Sequence, residues 1–232
     1  MNNNFDELYD GDVLESIKTL RTNLEFAGMD RPLKSISITS TQPSEGKTTV
    51  ALLLGMAMGE ASKKTLIVEN DFRHPQIAKR IEKRMPLGIT DLLTDKNTLD
   101  EVIYETEFNN LYMLNVGRRI ANPVEVLGSN KYLRIVEEVK EKFDFVIFDT
   151  PPMGLFIDGA IIASKVDGVL LVINSGSTPA NDIKETVDQL EKAKANILGV
   201  VLNAVTRENG YHKSSYYRYR YMNKDKEGST NR

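Results

Sequence analysis

The sequence predicts an α/β fold: a doubly wound, mostly parallel sheet flanked by helices. Apolar runs of six to eight residues, rich in β-branched side chains, recur at 35–40, 65–70, 111–116, 143–149, 168–174 and 196–203. Such runs are typical of strands buried on both faces, as in a parallel sheet. Amphipathic stretches separate them, and strand–helix alternation implies βαβ units with right-handed crossovers.

The helical stretches follow a spacing of three to four residues between apolar side chains. Residues 47–61 follow the first strand, and 130–143 repeat Leu133, Val136 and Val139. A further helix is expected at 179–194, opening on a proline, which is favoured in a first turn. We expect a helical arm in residues 1–33 around "VLESIKTLRTNLEF", a main domain at 34–205 and a polar tail at 206–232.

Composition excludes several classes of protein. The chain has 232 residues, 41% of them apolar, and a net charge of -3, so nothing indicates a nucleic-acid partner. It has no cysteine, which excludes disulfides, thiolate zinc sites and cysteine nucleophiles. The longest apolar stretch, "VALLLGMAMG", is about half the ~20 residues that span a bilayer. We therefore expect a cytoplasmic protein.

The stretch "SISITSTQPSEGKTT" carries the clearest functional signal. A strand leads into a loop, and Gly46-Lys47-Thr48 opens a helix, as in the phosphate-binding pattern G-x-x-x-x-G-K-[ST]. Thr41 stands at the first glycine position, so the loop is a deviant form. Backbone N–H groups at the helix start would still surround a phosphate, with Lys47 reaching it and Thr48 offering a hydroxyl to Mg²⁺. The expected nucleotide-binding residues of the loop are Ser44, Glu45, Gly46, Lys47, Thr48 and Thr49.

Acidic side chains stand at the ends of two predicted strands. Glu69 and Asp71 close "TLIVEND", and Asp149 closes "FDFVIFD". In a doubly wound sheet the ligand lies outside the carboxyl ends of the strands. An apolar strand that ends in Asp beside a phosphate loop is the geometry expected for a magnesium ligand. We expect Thr48, Asp71 and Asp149 to form the metal site.

The tail contains the run "YHKSSYYRYRY", with five of the nine tyrosines in eleven residues. It has no apolar periodicity and intersperses its tyrosines with Lys213, Arg218 and Arg220. Alternating tyrosine and arginine can bind RNA by stacking and charge, or form the edge of a β-hairpin. A phosphate loop upstream favours a third interpretation, in which the tyrosines accept phosphate: Tyr211, Tyr216, Tyr217, Tyr219 and Tyr221.

Together, "TSTQPSEGKTT", "LIVENDFRHP" and "FDFVIFDTPP" resemble the Walker A, A′ and B motifs of bacterial tyrosine kinases, the BY-kinases of capsule and exopolysaccharide synthesis. "NPVEVLGSNKY", "LGVVLN" and the tyrosine cluster follow in the same order. The resemblance implies a P-loop NTPase of the ParA/MinD type that autophosphorylates on tyrosine with ATP and Mg²⁺. It implies catalytic roles for Lys47, Glu69, Asp71 and Asp149. Glu69 stands where the family usually has Asp, proposed to accept the tyrosine proton.

The resemblance also implies an assembly. Glu15, Lys18 and Arg21 match the family's E-x-x-R-x-x-R pattern, with Lys in place of the first Arg, and that helical face joins subunits into a ring, for example an octamer. Asn203 resembles the residue that faces adenine. The implied partners are a transmembrane adaptor that brings the kinase to the inner face of the membrane, a cognate tyrosine phosphatase and other protein substrates.

Two other functions share much of this pattern. A ParA/MinD-like ATPase would hydrolyse ATP without modifying protein, but such ATPases usually carry a second lysine five residues before the loop lysine, where this chain has Gln42. A nucleotide-gated scaffold with weakened catalysis is the other, kept open by Glu69. Two roles also stay open: Arg73 contacts phosphate or is solvated, and Asp158 lies near the active site or caps a helix.

Overall fold

The structure, a computed structural model, describes residues 11–205 and is built on a seven-stranded sheet. The strands in sheet order are β3, β4, β2, β5, β1, β6 and β7. Neighbouring strands are parallel except β3 and β4, which pair antiparallel at one edge. The strands are β1 (Ser35–Ser40), β2 (Thr65–Glu69), β3 (Ile103–Glu105), β4 (Leu111–Leu114), β5 (Phe145–Asp149), β6 (Gly168–Asn174) and β7 (Ile197–Asn203).

Helices cover both faces of the sheet. Two apolar clusters, one around α2 and one around α7, lie on its opposite sides. The helices are α1 (Gly11–Ala27), α2 (Lys47–Glu60), α3 (Ile77–Arg80), α4 (Ile89–Leu93), α5 (Leu99–Val102), α6 (Pro123–Gly128), α7 (Asn130–Lys142), α8 (Asp158–Ala163) and α9 (Ala180–Lys192).

The predicted doubly wound sheet is confirmed, because each of the six predicted strands and four predicted helices is present. Every residue of β1, β2 and β5 is buried, as the unbroken apolar runs indicated. Several predicted ends were one or two residues too long: 70, 115–116 and 143–144 lie outside the strands. β3 was not predicted from the sequence; Ile103 and Tyr104 in it are half-buried and Glu105 is exposed.

The helix predicted in the N-terminal arm is α1, and it packs on α2. Leu14, Ile17 and Leu24 are buried in the same apolar cluster as the inner side chains of α2. α2 in turn lies very close to the sheet, because a Cβ on Gly55 would come within 2.6 Å of Ile67 Cδ1. The limits of the three predicted regions stay predictions, and the tyrosine-rich run lies outside the described residues.

The strand order brings the predicted site residues to one edge of the sheet. β1 is central, with β5 on one side and β6 on the other, and β2 lies next to β5. The register sets Glu69 opposite Asp149 and Ile38 opposite Asp149, so the acidic ends lie beside the loop that follows β1. Within residues 11–205, no helix has the length and apolar character needed to cross a membrane.

Candidate active site

The loop between β1 and α2 turns sharply at two residues. Ser44 and Gly46 have φ values of 65° and 92°, in the left-handed region that favours glycine. A Cβ on Gly46 would lie 2.2 Å from Nδ2 of Asn203, so any other residue here would be strained and would displace the Asn203 side chain. The turn leads directly into the first turn of α2, which is how a phosphate-binding loop presents its backbone N–H groups.

Hydrogen bonds from three side chains hold the loop in this conformation. Glu45 is buried, and its carboxylate accepts hydrogen bonds from the Gln42 backbone N–H (2.7 Å) and from the hydroxyl of Thr178. Asn203 at the end of β7 donates from Nδ2 to the Glu45 carbonyl at 2.9 Å. Gln42 donates from Nε2 to Oδ2 of Asp182 at 2.8 Å. Glu45 and Asn203 thus hold the shape of the loop through their side chains.

The first turn of α2 carries the residues expected to meet phosphate and metal. Its leading N–H groups, at Lys47, Thr48 and Thr49, have no partner within the helix, whose first bond runs from Val50 N–H to the Gly46 carbonyl at 2.9 Å. Lys47 Nζ lies 3.7 Å from Oδ2 of Asp71. The start of α2 therefore combines a lysine near Asp71 with backbone N–H groups that have no partner in the helix.

Asp149 is buried with its charge incompletely matched. Its side chain forms a hydrogen bond with Thr48, while Oδ1 has no hydrogen-bond partner among the described residues. Burial raises its pKa to about 6, against the lowering effects of Lys47, of the Thr48 hydrogen bond and of Arg80. A buried carboxylate oxygen without a partner is the atom that a cation would satisfy.

Glu69 is held by the backbone of the segment that follows it. Its Oε2 accepts from the N–H groups of Gln76 and Ile77, each at 2.8 Å, and Oε1 accepts from Asp71 N–H at 3.3 Å. Its side chain is only 1% exposed. Burial and the nearby charge of Asp149 raise its pKa to about 8, more than these N–H groups lower it. Glu69 thus fixes the backbone of the segment 70–77 and adds a second buried carboxyl group beside Asp149.

Asp71 is oriented by a local turn. Its Oδ1 accepts from the N–H groups of Arg73 (3.2 Å) and His74 (2.8 Å), which leaves Oδ2 directed toward Lys47. With Glu69 and Asp149 it forms a group of three buried carboxylates at the sheet edge. The structure therefore brings together the four residues predicted to be catalytic.

Arg73 and Asp158 form an ion pair across the edge of the site. Arg73 Nε lies 2.9 Å from Oδ2 of Asp158, and the guanidinium stacks over the ring of Phe156 at 4.1 Å. Asp158 is 1% exposed and makes no side-chain cap to α8. Helix capping is thus the wrong interpretation of Asp158, and Arg73 is a half-buried side chain paired with Asp158. The pair joins the segment after β2 to the segment after β5.

The residues present suit Mg²⁺ and a phosphate chain. Within residues 11–205 no three His, Cys, Asp or Glu side chains, the three buried carboxylates included, could hold a metal ion by themselves. Mg²⁺ typically takes one or two carboxylates and completes its shell with water and phosphate oxygens. The Thr48 hydroxyl and Oδ1 of Asp149, which has no hydrogen-bond partner among the described residues, are suitable ligands for Mg²⁺. The free N–H groups of α2 can donate hydrogen bonds to phosphate oxygens.

The three arm residues lie apart from this site. Glu15 is exposed, Lys18 and Arg21 are half-buried, and Arg21 donates from a terminal guanidinium nitrogen to the Ala57 carbonyl at 3.1 Å. Arg21 thereby ties α1 to the last turn of α2. Their role between subunits stays a prediction, and the five predicted phosphoacceptor tyrosines lie outside the described residues.

Sequence reasoning missed several residues around the loop. Thr178 and Asp182 brace it from the start of α9, and Arg80 donates from a terminal guanidinium nitrogen to the Thr49 hydroxyl at 2.8 Å. None stands in a recognisable motif, and "AKRIEKR" around Arg80 has the pattern of a solvated helix face. A polar loop rich in Ser and Thr after β6 was the one available signal for Thr178.

The chain is similar to known proteins over most of its length. The family "AAA domain" matches residues 33–200. Tyrosine-protein kinase YwqD of Bacillus subtilis is 34% identical over 189 residues, covering 82% of this chain and 80% of its own. The kinase domain of Escherichia coli tyrosine kinase ETK superposes with a TM-score of 0.81 at 29% identity, covering 85% of this chain and 77% of the other.

A more distant structure shares the fold. The septum site-determining protein MinD of Pyrococcus horikoshii, complexed with Mg-ADP, has a TM-score of 0.65 at 25% identity and covers 80% of this chain and 76% of its own. The kinase domain is thus nearer to this chain in both fold and sequence than this positioning-type ATPase. With the deviant phosphate loop, the acidic strand ends and these relatives, the chain belongs to the family of bacterial tyrosine-protein kinases.

Proposed function

We propose that this chain is an ATP-dependent protein-tyrosine kinase that phosphorylates its own C-terminal tyrosine cluster and so regulates capsular or exopolysaccharide synthesis and export. The observation that carries the proposal is the meeting of Lys47, Asp71 and Asp149 at the start of α2, in a chain 34% identical to a named tyrosine kinase. Phosphoryl transfer depends on positioning and charge neutralisation more than on covalent chemistry, and this edge of the sheet supplies both.

Each residue has a defined task in the proposed reaction. The γ-phosphoryl group moves from ATP to a tyrosine oxygen, ADP leaves, and Glu69 accepts the tyrosine proton. Lys47 and the N–H groups of α2 orient the phosphates. Thr48, Asp71 and Asp149 would hold Mg²⁺, directly or through water. Bound there, Mg²⁺ would supply the positive charge that offsets the negative charge developing on the phosphoryl group during transfer.

Glu69 has one property that favours its role as proton acceptor and one that restricts it. Burial and the nearby carboxylates raise its pKa to about 8, so its ionised form is a stronger base than an ordinary glutamate. The same shift keeps the carboxyl largely protonated at neutral pH, so it can act as a base only after nearby cations favour its ionised form. Its carboxylate is also bound by three backbone N–H groups, so a tyrosine hydroxyl must approach an oxygen that already accepts hydrogen bonds. Having Glu in place of the usual Asp is therefore expected to lower the rate of phosphoryl transfer, because small displacements of a reacting group slow a reaction.

The proposed partners follow from the family and the tail. They are a transmembrane adaptor that recruits and activates the kinase at the inner face of the membrane, further copies of the chain in a ring through Glu15, Lys18 and Arg21, a tyrosine phosphatase and other protein substrates. The acceptors are the five tyrosines between 211 and 221, in a polar segment whose basic residues suit an acidic active site.

One experiment tests the function. The full chain is incubated with Mg-ATP and the adaptor's cytoplasmic segment, and phosphotyrosine is mapped by mass spectrometry. We expect phosphate on residues within 211–221, and none on the Lys47→Met variant. ATP hydrolysis without phosphotyrosine would instead assign a MinD-like ATPase, which the shared fold keeps as the second candidate. Nucleotide binding without either reaction would assign a scaffold.

A further inference from the structure

The phosphate loop of this chain is short of positive charge. Gln42 occupies the position where related ATPases usually have a second lysine, and its neutral side chain is bonded to Asp182 on α9. Lys47 lies 3.7 Å from Asp71, so part of its charge is already matched by a carboxylate. Glu69 and Asp149 are buried nearby. A nucleotide polyphosphate that enters this edge therefore needs a cation from elsewhere.

The guanidinium of Arg80 lies beside the first turn of α2, where that cation is needed. Arg80 is the last residue of α3, and a terminal guanidinium nitrogen donates to the Thr49 hydroxyl at 2.8 Å. Thr49 belongs to the first turn of α2, whose N–H groups are free to bind phosphate. The guanidinium is thus held beside the phosphate-binding N–H groups, although residues 80 and 49 are 31 positions apart.

The guanidinium of Arg80 still has donors to offer. A guanidinium carries five N–H donors, in a fork that matches phosphate oxygens. Within residues 11–205 its side chain is hydrogen-bonded to Thr49, and its charge acts on Asp149 only from beyond ion-pair distance. Arg73, the other arginine close to the carboxylates, is committed to Asp158 and stacked on Phe156. Of these two arginines, Arg80 is the one available to a ligand.

The short helix that carries Arg80 is fixed to the site. Glu69 accepts the N–H groups of Gln76 and Ile77 at the start of α3, and the Ile77 side chain is 1% exposed. The Arg80 N–H in turn donates to the Gln76 carbonyl at 3.0 Å. The same carboxylate that ends β2 therefore sets where Arg80 lies, so the guanidinium is presented to the α2 start by anchored backbone.

We propose that Arg80 binds a phosphate group of the nucleotide and supplies, from α3, the second cation that position 42 lacks. The inference rests on the proposed nucleotide-dependent function and adds to it a phosphate-binding residue outside the loop. A cation on α3 would also couple the nucleotide to the segment 70–77, since the backbone of that segment is bonded to Glu69.

The test measures equilibrium binding to the full chain by calorimetry, with Mg-ADP and with adenosine as the ligand without phosphate. We expect Arg80→Ala to weaken Mg-ADP binding about tenfold, as the loss of a charged hydrogen bond does, and to leave adenosine binding unchanged. Arg80→Lys should recover part of the affinity. Lys79→Ala, an exposed cation one residue earlier, is the matched control and should bind Mg-ADP as the unmodified chain does.

Two results would overturn the proposal in different ways. If Arg80→Ala and Lys79→Ala both bound Mg-ADP within twofold of the unmodified chain, Arg80 would not be a phosphate ligand, while the nucleotide site would stand. If the unmodified chain bound no nucleotide, the proposed function would fail together with the inference. Melting temperatures without nucleotide show whether each variant is folded, and equal losses for both ligands in Arg80→Ala would assign Arg80 a structural role only.

Discussion

The two ends of the sheet use aspartate in opposite ways. At the carboxyl end, Asp149 is buried with one oxygen unpartnered, and burial raises its pKa to about 6. At the amino end, Asp167 precedes β6, and its Oδ2 accepts from Lys34 N–H, Ser35 N–H and the Ser35 hydroxyl at 2.8–3.0 Å, while Oδ1 lies 3.3 Å from Lys140 Nζ.

That difference separates stability from function along one sheet. These hydrogen bonds and the charge of Lys140 lower the pKa of Asp167 in spite of its partial burial, so its ionised form stabilises the fold. The raised pKa values of Asp149 and Glu69 mean that their ionised forms oppose folding until a cation arrives. The aspartate at the amino end finds its hydrogen bonds and counter-charge within the chain, whereas the carboxylates at the carboxyl end need a bound cation.

The largest effect is expected from Asp149→Asn. The variant keeps the shape of the side chain but removes the charge that would hold Mg²⁺, so tyrosine phosphorylation should fall on the order of 1,000-fold. Without ligand, the free energy of unfolding at pH 8 should rise by roughly 1 kcal/mol, because an uncompensated buried charge is gone. Phosphotyrosine rates and urea unfolding measure the two quantities. A variant that was both inactive and less stable would contradict the contrast between the two ends.

Glu69→Gln is expected to act next most strongly. The amide keeps one oxygen that can accept the N–H groups of Gln76 and Ile77 but cannot take a proton, so the phosphorylation rate at saturating Mg-ATP should fall roughly 100-fold. Glu69→Asp is the companion variant, because it restores the carboxylate that the family usually has. Activity of Glu69→Gln within twofold of the unmodified chain would make Glu69 a structural residue of the segment 70–77.

At the amino end, Asp167→Ala should reduce stability without touching the chemistry. Four donors lose their acceptor, so the free energy of unfolding should fall by roughly 2 kcal/mol near neutral pH, while phosphorylation per folded molecule stays the same. Glu60→Ala, an exposed carboxylate at the end of α2, is the control and should change stability little.

The pH dependence of that loss has a definite sign. The folded pKa of Asp167 is lowered from its ordinary value of 3.8, so its contribution is present above that value and is lost as the pH falls through the folded pKa. The difference in urea midpoint between Asp167→Ala and the unmodified chain should therefore be full at pH 6 and shrink below about pH 4. A difference that grew on acidification would mean that Asp167 is not stabilising as a carboxylate.

The sequence could predict the carboxyl end better than the amino end, for a physical reason. Lys47, Thr48 and Asp149 stand in local patterns tied to strand ends, and parallel strands bring their carboxyl ends together whatever the details of packing. Asp167 and Lys140 are paired across the fold, with β5 and α8 between them along the chain, and neither stands in a motif. Contacts set by tertiary packing leave no periodicity to detect.

The same limit explains β3 and Arg80. β3 has three residues, directly follows a short helix and pairs only at the sheet edge, so its propensity signal was too brief to separate from its surroundings. Arg80 was hidden because "AKRIEKR" is indistinguishable by composition from a solvated helix face. Its contact with Thr49 depends on where Glu69 holds α3, which only the folded backbone specifies.

The smallest expected effect concerns backbone strain at the carboxyl end. Ser44 has a φ of 65°, a left-handed conformation that costs a non-glycine residue roughly 1 kcal/mol. Ser44→Gly should relieve most of that cost, but the added freedom of glycine in the unfolded chain offsets part of it, so stability should rise by about 0.5 kcal/mol. Ser177→Gly, at an exposed serine with no positive φ, should lower stability instead, and urea unfolding compares the two. If Ser44→Gly raised stability and Ser177→Gly lowered it, the phosphate loop would carry backbone strain in addition to the unmatched charge of the carboxylates. If both variants lost stability equally, the unfavourable energy at the carboxyl end of the sheet would come from the carboxylates alone.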